Sequence, residues 1–230
     1  MDTFHGNDLV TRLLDDNEDL WNRLLNNPFC MKMKEASKDD DAVLEGFKQY
    51  MIQDFLYCKK LTEYETARKS KALNQAEVEV SEKRIKKTAG YASAVFNACT
   101  NQSPGGLGIE GSVVRGACES DALKSHTDFQ ISTANSNDWV VSLVAMIPCI
   151  QSYYQIAMDL KDSSTHKDTV WYNLWVLENL KYGDSTDRQR KFFIDNVDRW
   201  NGQYETVNDI FRKACQGEMD FWATALRPEA

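Results

Sequence analysis

Apolar residues recur every three or four positions along nearly the whole of this 230-residue chain, and no segment sustains the every-second-residue alternation of a half-buried strand. Helical geometry gathers residues so spaced on one face, so the expected fold is all-α, a bundle of seven or eight helices with no internal repeat. The segment Thr206 to Leu226 is the most regular, with Val207, Ile210, Phe211, Ala214, Cys215, Phe221, Trp222 and Ala225 on one face. Glu218 falls on that face too. Asp54 does the same on an earlier stripe of Phe47, Tyr50, Met51, Phe55, Cys58 and Leu61. A carboxylate among such neighbours must be paired, hydrogen-bonded or neutralised, because an isolated buried charge is too costly to keep. Two acids from distant helices on core-facing stripes are the pattern of a buried acid/base pair, with a salt-bridged or capping Asp54 as the alternative.

The other helices follow from the same periodicity. Asn7 or Asp8 caps a first helix carrying Val10, Leu13, Leu14, Leu20, Trp21, Leu24 and Leu25, which ends at Asn26-Asn27-Pro28. From Thr62 to about Asn101 there is no proline and only Gly90, which predicts one or two long helices with a stripe of Ile85, Ala89, Ala92, Val95, Phe96 and Cys99. Five of the eleven glycines lie between Ser103 and Ser120, a surface connection without the context of a phosphate loop. Further helices are expected over 121–134, 139–162, 167–181 and 187–204.

The 139–162 segment places Pro148 and then Cys149 inside an apolar helix. An interior proline costs roughly 3 kcal/mol or a kink, and it leaves the carbonyl of Val144 without its helical donor. At helical spacing Ser142, Ala145, Cys149, Ser152 and Tyr153 share a face smaller and more polar than that of Leu143, Ile147, Ile150 and Tyr154. Such a face suits a cavity with Cys149 as nucleophile; a cysteine serving as a small core residue is the alternative reading.

Length permits one domain, 1–230, with a core that needs neither disulfides nor metal. The net charge of −8 and pI near 5.0 argue against nucleic acid or an anionic membrane as partner. The basic cluster Lys83-Arg84-Ile85-Lys86-Lys87 follows Glu77, Glu79 and Glu82 and reads as a solvated helix face. Cysteines 30, 58, 99, 118, 149 and 215 are scattered without a CxxC pair, and no run approaches a membrane span or a signal segment, so a cytoplasmic protein is expected. His5, His126 and His166 are too few for a heme or di-iron centre. The run Asp15-Asp16-Asn17-Glu18-Asp19 has the letters of the magnesium-binding DDxxD motif of terpene cyclases, yet Asp15 and Asp19 project away from the apolar stripe. Asn137 and Asp138 match the second such motif only faintly.

Taken together, Asn27-Pro28-Phe29 after a tryptophan-bearing helix, Gln53-Asp54-Phe55-Leu56-Tyr57, Pro148-Cys149 with Tyr153, and Glu218 before Phe221-Trp222 resemble the TenA family, also called thiaminase II, in order and spacing over nearly the whole chain. The segment 135–153 looks most like fungal members. The resemblance implies a heme-oxygenase-like helical bundle, usually a homotetramer. It implies hydrolysis of 4-amino-5-aminomethyl-2-methylpyrimidine or thiamine, small-molecule substrates, with no metal or organic cofactor. By the same resemblance Cys149 is the nucleophile, Glu218 the proton shuttle, Asp54 the group holding the ring's amino substituent, and Tyr57 and Tyr153 pocket residues.

Three positions depart from the family pattern. His126 stands in place of a tyrosine, Asn179 in place of a second pocket tyrosine, and Asn27 in place of a histidine. His126 and Asn179 are thereby candidate substrate-binding residues of altered chemistry, and His126 also a candidate acid/base group. Two other functions stay open: a diverged enzyme of specialised metabolism, including magnesium-dependent isoprenoid-diphosphate chemistry on Asp15, Asp16 and Asp19, and a non-catalytic pyrimidine-binding protein.

Overall fold

In the computed structural model, which describes residues 7–226, five helices begin at a short polar side chain that accepts a first-turn backbone N–H. Asp8 caps α1 (Leu9–Asp16), Asn27 caps α3 (Pro28–Glu35), Asp40 caps α4 (Asp41–Lys69), Asn74 caps α5 (Gln75–Thr100) and Ser120 caps α7 (Asp121–Ser136). Between them lie α2 (Glu18–Leu25) and the short α6 (Gly111–Gly116). The second half holds α8 (Ile147–Ser163), α9 (Leu177–Asn179), α10 (Gly183–Asp195), α11 (Val197–Trp200) and α12 (Tyr204–Ala223). The described residues contain no strand, and the fold is all-α as the periodicity requires. His5 lies outside the described residues.

The single first helix expected from the sequence is two. The chain breaks at Asn17, whose buried amide nitrogen bonds the Leu13 carbonyl (2.9 Å) and Asn208 Oδ1 (2.6 Å), while Arg212 donates to its Oδ1 (2.6 Å). A buried amide must satisfy its donors and acceptors, and α12 provides them. Asp15, Asp16 and Asp19 around this break are exposed. Asp16 accepts from Tyr204 and pairs with Arg12, as expected of a solvated face.

Pro148 does not interrupt a helix. Residues Val141–Met146 form a 3-10 segment, and α8 starts at Ile147, so the proline occupies the first turn, where no intrahelical donor is required. The Val144 carbonyl, expected to be orphaned, accepts the Ile147 N–H in a 3-10 bond. Side chains of α4 secure this segment: Tyr64 donates to the Ser142 carbonyl (2.9 Å), and Arg68 reaches the Trp139 carbonyl (2.9 Å) and Ser142 Oγ (3.2 Å). Arg68, itself buried, is balanced by Glu65 at 2.8 Å, and Glu65 also meets Arg84 of α5 at 2.6 Å. The stretch Val141–Ser163 is long and apolar enough to cross a membrane, but 67% of its apolar window is buried inside the bundle.

The stripe expected on α5 is only partly covered. Its buried residues are Glu77, Ser81, Thr88 and Cys99, and Ala89 is exposed. Polar pairs tie α5 to α4, Thr62 with Thr88 (3.0 Å), Glu65 with Arg84, and Lys69 with Glu82 (2.6 Å), beside the apolar contact of Phe55 with Phe96 (ring centroids 5.5 Å apart).

Aromatic side chains fill the centre. Tyr50 of α4 stacks on Trp222 of α12 (centroids 4.2 Å apart, planes 4° from parallel), and Trp175 meets Trp222 edge-on at 5.3 Å. Each such pair adds about 0.5–1.5 kcal/mol beyond its buried area. Gly46 lets α4 approach the C-terminal turn, since a Cβ there would lie 2.3 Å from the Ala225 carbonyl oxygen.

Candidate active site

Three helices, α4, α8 and α12, carry the predicted acids and thiol. Asp54 comes from α4, Cys149 from the first turn of α8, and Glu218 from α12, with Tyr57 on α4 and Tyr153 on α8. The charge of Glu218 acts on both of the other groups. Burial, and then the charge of Glu218, push Asp54 up to about 7. Burial, followed by Glu218 and Asp54, holds the Cys149 thiol well above its ordinary value, opposed only by a hydrogen bond from Tyr57. Tyr57 and Tyr153 are raised in the same way, by burial first.

Asp54 and Cys149 are half-buried. Among the described residues the Asp54 carboxyl has no hydrogen-bond partner. That leaves an acceptor free for a ligand donor. Glu218 is fully occupied instead: 1% exposed, it accepts from Tyr153 at Oε2 (3.1 Å) and lies 3.4 Å from His126 Nε2 at Oε1. Tyr50 donates to the Tyr153 hydroxyl (3.2 Å), and the Trp175 indole donates to Tyr50 (3.1 Å), so a relay of three donors ends on Glu218.

The two altered positions part company. His126 is 2% exposed and meets Glu218 and Gln130; its ring lies 12° from parallel to that of Tyr57 at 5.9 Å. The Asn179 amide nitrogen donates to the Trp175 carbonyl one turn back (2.9 Å). Asn27, where the family pattern has histidine, is the buried cap of α3, accepting the Cys30 N–H at 3.0 Å. Ser152 on the face of Cys149 is fully buried, and its hydroxyl has no partner.

Sequence reading missed Gln130, Gly217, and the parts played by Tyr50 and Trp175. Gln130 Nε2 stands 3.1 Å from the Tyr57 hydroxyl and 3.2 Å from His126 Nε2. It lies one helical turn after His126, a spacing that signals contact. Gly217 interrupts an otherwise regular helical pattern beside Glu218, which marks a close approach. Trp175 sits on a π-helical turn, Tyr172–Val176, that no local pattern in the sequence announces.

Two surface clefts, of about 410 Å³ beside Phe29 and Leu226 and about 600 Å³ beside Gln53 and Cys118, include none of the predicted site residues. The acid and thiol cluster is the better candidate because its groups perturb one another, as groups built for chemistry do. No three His, Cys, Asp or Glu side chains among the described residues gather in a way that suits a metal ion.

The same fold occurs in solved structures. A TenA homologue from Pyrococcus horikoshii OT3 superposes with a TM-score of 0.80 at 23% identity, covering 96% of this chain and 99% of its own. A TenA family transcription regulator from Silicibacter sp. TM1040 gives 0.70 at 18% identity, with 96% and 97% covered. A candidate TenA-like thiaminase from Sulfolobus solfataricus P2 gives 0.64 at 21%, with 96% of both chains covered. Comparison with curated protein sequences finds no match. The family model described as TENA/THI-4/PQQC matches residues 14–228, nearly the whole bundle and every member of the acid and thiol cluster, so the chain belongs to the TENA/THI-4/PQQC family.

Proposed function

We propose that the protein is a thiaminase II-type hydrolase that cleaves the exocyclic C–N bond of an aminomethylpyrimidine. The observation that carries this reading is that the Asp54 carboxyl and the Cys149 thiol both lie close enough to Glu218 to be raised by its charge, on three different helices. Family membership and a TenA-like fold support it. The vacant Asp54 carboxyl suits an amino group on a heterocycle, and the surrounding tyrosines suit its flat ring.

The chemistry balances without an external redox partner. The resting thiol is protonated, so its proton passes to Glu218 as sulfur bonds to a ring carbon. The electron density added to the ring expels the exocyclic amine, which leaves with that proton. Water then adds to the exocyclic carbon, its second proton returns to sulfur, and the C–S bond breaks to release the hydroxymethylpyrimidine. Because Glu218 has almost no exposed surface, we take the Tyr153 hydroxyl, its hydrogen-bond partner, as the conduit for the proton.

Product formation from 4-amino-5-aminomethyl-2-methylpyrimidine and from thiamine, by wild type and Cys149→Ser, each with and without EDTA, tests the reading. Turnover that survives EDTA and vanishes in the variant is expected. Absence of turnover of either compound by folded wild-type protein overturns the proposal, and loss of turnover in EDTA would redirect attention to metal-dependent chemistry.

A further inference from the structure

His126 has one feature that the hydrolytic chemistry does not use. Its ring is pressed edge-on against α12 where residue 217 is glycine, and a Cβ there would lie 2.0 Å from Nδ1. Nδ1 is buried and has no hydrogen-bond partner among the described residues. Nε2, on the other edge, lies 3.4 Å from Glu218 Oε1 and 3.2 Å from the Gln130 amide.

These contacts discriminate among the protonation patterns of the imidazole. A proton on Nδ1 would leave a buried N–H unpaired, at a cost of about 1–3 kcal/mol, and would turn a lone pair of Nε2 toward the Glu218 oxygen. Protonation of both nitrogens leaves the same orphan N–H at Nδ1. With the single proton on Nε2, a lone pair faces Gly217, and the N–H faces Glu218 and Gln130. Gln130 then presents its carbonyl oxygen to His126, since amide oxygen and nitrogen are interchangeable by rotation.

We infer that His126 is the positioning residue of the site: an Nε2-protonated neutral imidazole that donates to Oε1 of Glu218. With Tyr153 on Oε2, it fixes the carboxyl group from both sides, and Gly217 is the vacancy that admits its ring. The groups that face His126 are Glu218 from α12, Tyr57 from α4 and Gln130 from its own helix. Lys124 and Asp128, the nearest charges along α7, pair with each other at the surface (2.9 Å). Its kinetic consequence rests on the hydrolase reading above, but the proton's location does not.

Nitrogen-15 NMR of the histidine side chains in the wild-type protein at neutral pH is the first test, and it requires no substrate. The resonances of His126, assigned by their absence from His126→Gln, should show a protonated Nε2 and a bare Nδ1. A protonated Nδ1, alone or with Nε2, overturns the inference whatever reaction the protein catalyses. The second test compares His126→Gln, which keeps an N–H donor, with His126→Leu, which has none. The leucine variant should lose about 10- to 100-fold in kcat with KM nearly unchanged, and the glutamine variant should recover most of it. Equal losses in both, or a change in KM alone, would make the histidine a packing element. If wild type turns over neither pyrimidine, the hydrolase reading fails while the NMR result still decides the tautomer.

Discussion

The Tyr153 hydroxyl donates to Oε2 of Glu218 across 3.1 Å, between residues 65 positions apart in the chain. It accepts in turn from Tyr50, so its single proton is committed to the carboxyl group. Tyr153→Phe keeps the ring that packs on Trp175 and Trp222 and removes only the link to Glu218. We expect kcat to fall about 100-fold with stability lowered by about 1 kcal/mol, read from steady-state kinetics and urea unfolding. Unchanged kcat would exclude the hydroxyl as the proton's path.

Asp54 gives a pH dependence whose direction is fixed by its environment. Burial and the charge of Glu218 raise it in the folded protein to about 7 from an ordinary 3.8, so between these values the folded state binds the proton that the unfolded state has released. Its stabilising contribution is whole below the lower value and is lost as pH rises through the upper one. Asp54→Asn should therefore gain stability relative to wild type on going from pH 4 to pH 8, by up to about 4 kcal/mol. Denaturant midpoints of both proteins across that range measure it; a difference that does not change with pH would refute the shift.

Arg68 holds the approach to Cys149 from beneath, satisfying the Trp139 carbonyl and Ser142 while balancing Glu65. Arg68→Met fills much of the volume but leaves Glu65 with Arg84 as its sole cationic partner. Removal of one partner from a buried pair costs about 3 kcal/mol, and urea unfolding should show a loss of that order.

Two glycines in long helices should respond in opposite senses. Gly46→Ala drives a methyl into the Ala225 carbonyl and the Phe29 ring and should cost about 1–3 kcal/mol. Gly90 is exposed with open space around its Cβ position, so Gly90→Ala should stabilise α5 by about 0.5–1 kcal/mol. Thermal unfolding of the two variants beside wild type checks both signs.

The sequence by itself determined the all-α class, the inward faces of α4 and α12, and the placement of Asp54 and Glu218 on those faces. It also determined that Asp15 and Asp19 face solvent. Each of these follows from which side of a helix a residue occupies, and that depends only on neighbours three or four positions away. The family pattern named Cys149, Tyr57 and Tyr153 in addition.

Tertiary structure alone decided what those residues touch. Pro148 reads locally as an interior break, and only the Arg68 and Tyr64 contacts from α4 make a 3-10 entry to α8 stable enough to put it in a first turn. His126 stands 92 residues from Glu218, and Tyr50 stands 103 from Tyr153. Such pairs depend on the register in which one helix packs on another, which periodicity does not encode. The approach of the His126 ring to α12 needs the missing methyl at Gly217, an effect of close packing that acts only once the helices are together.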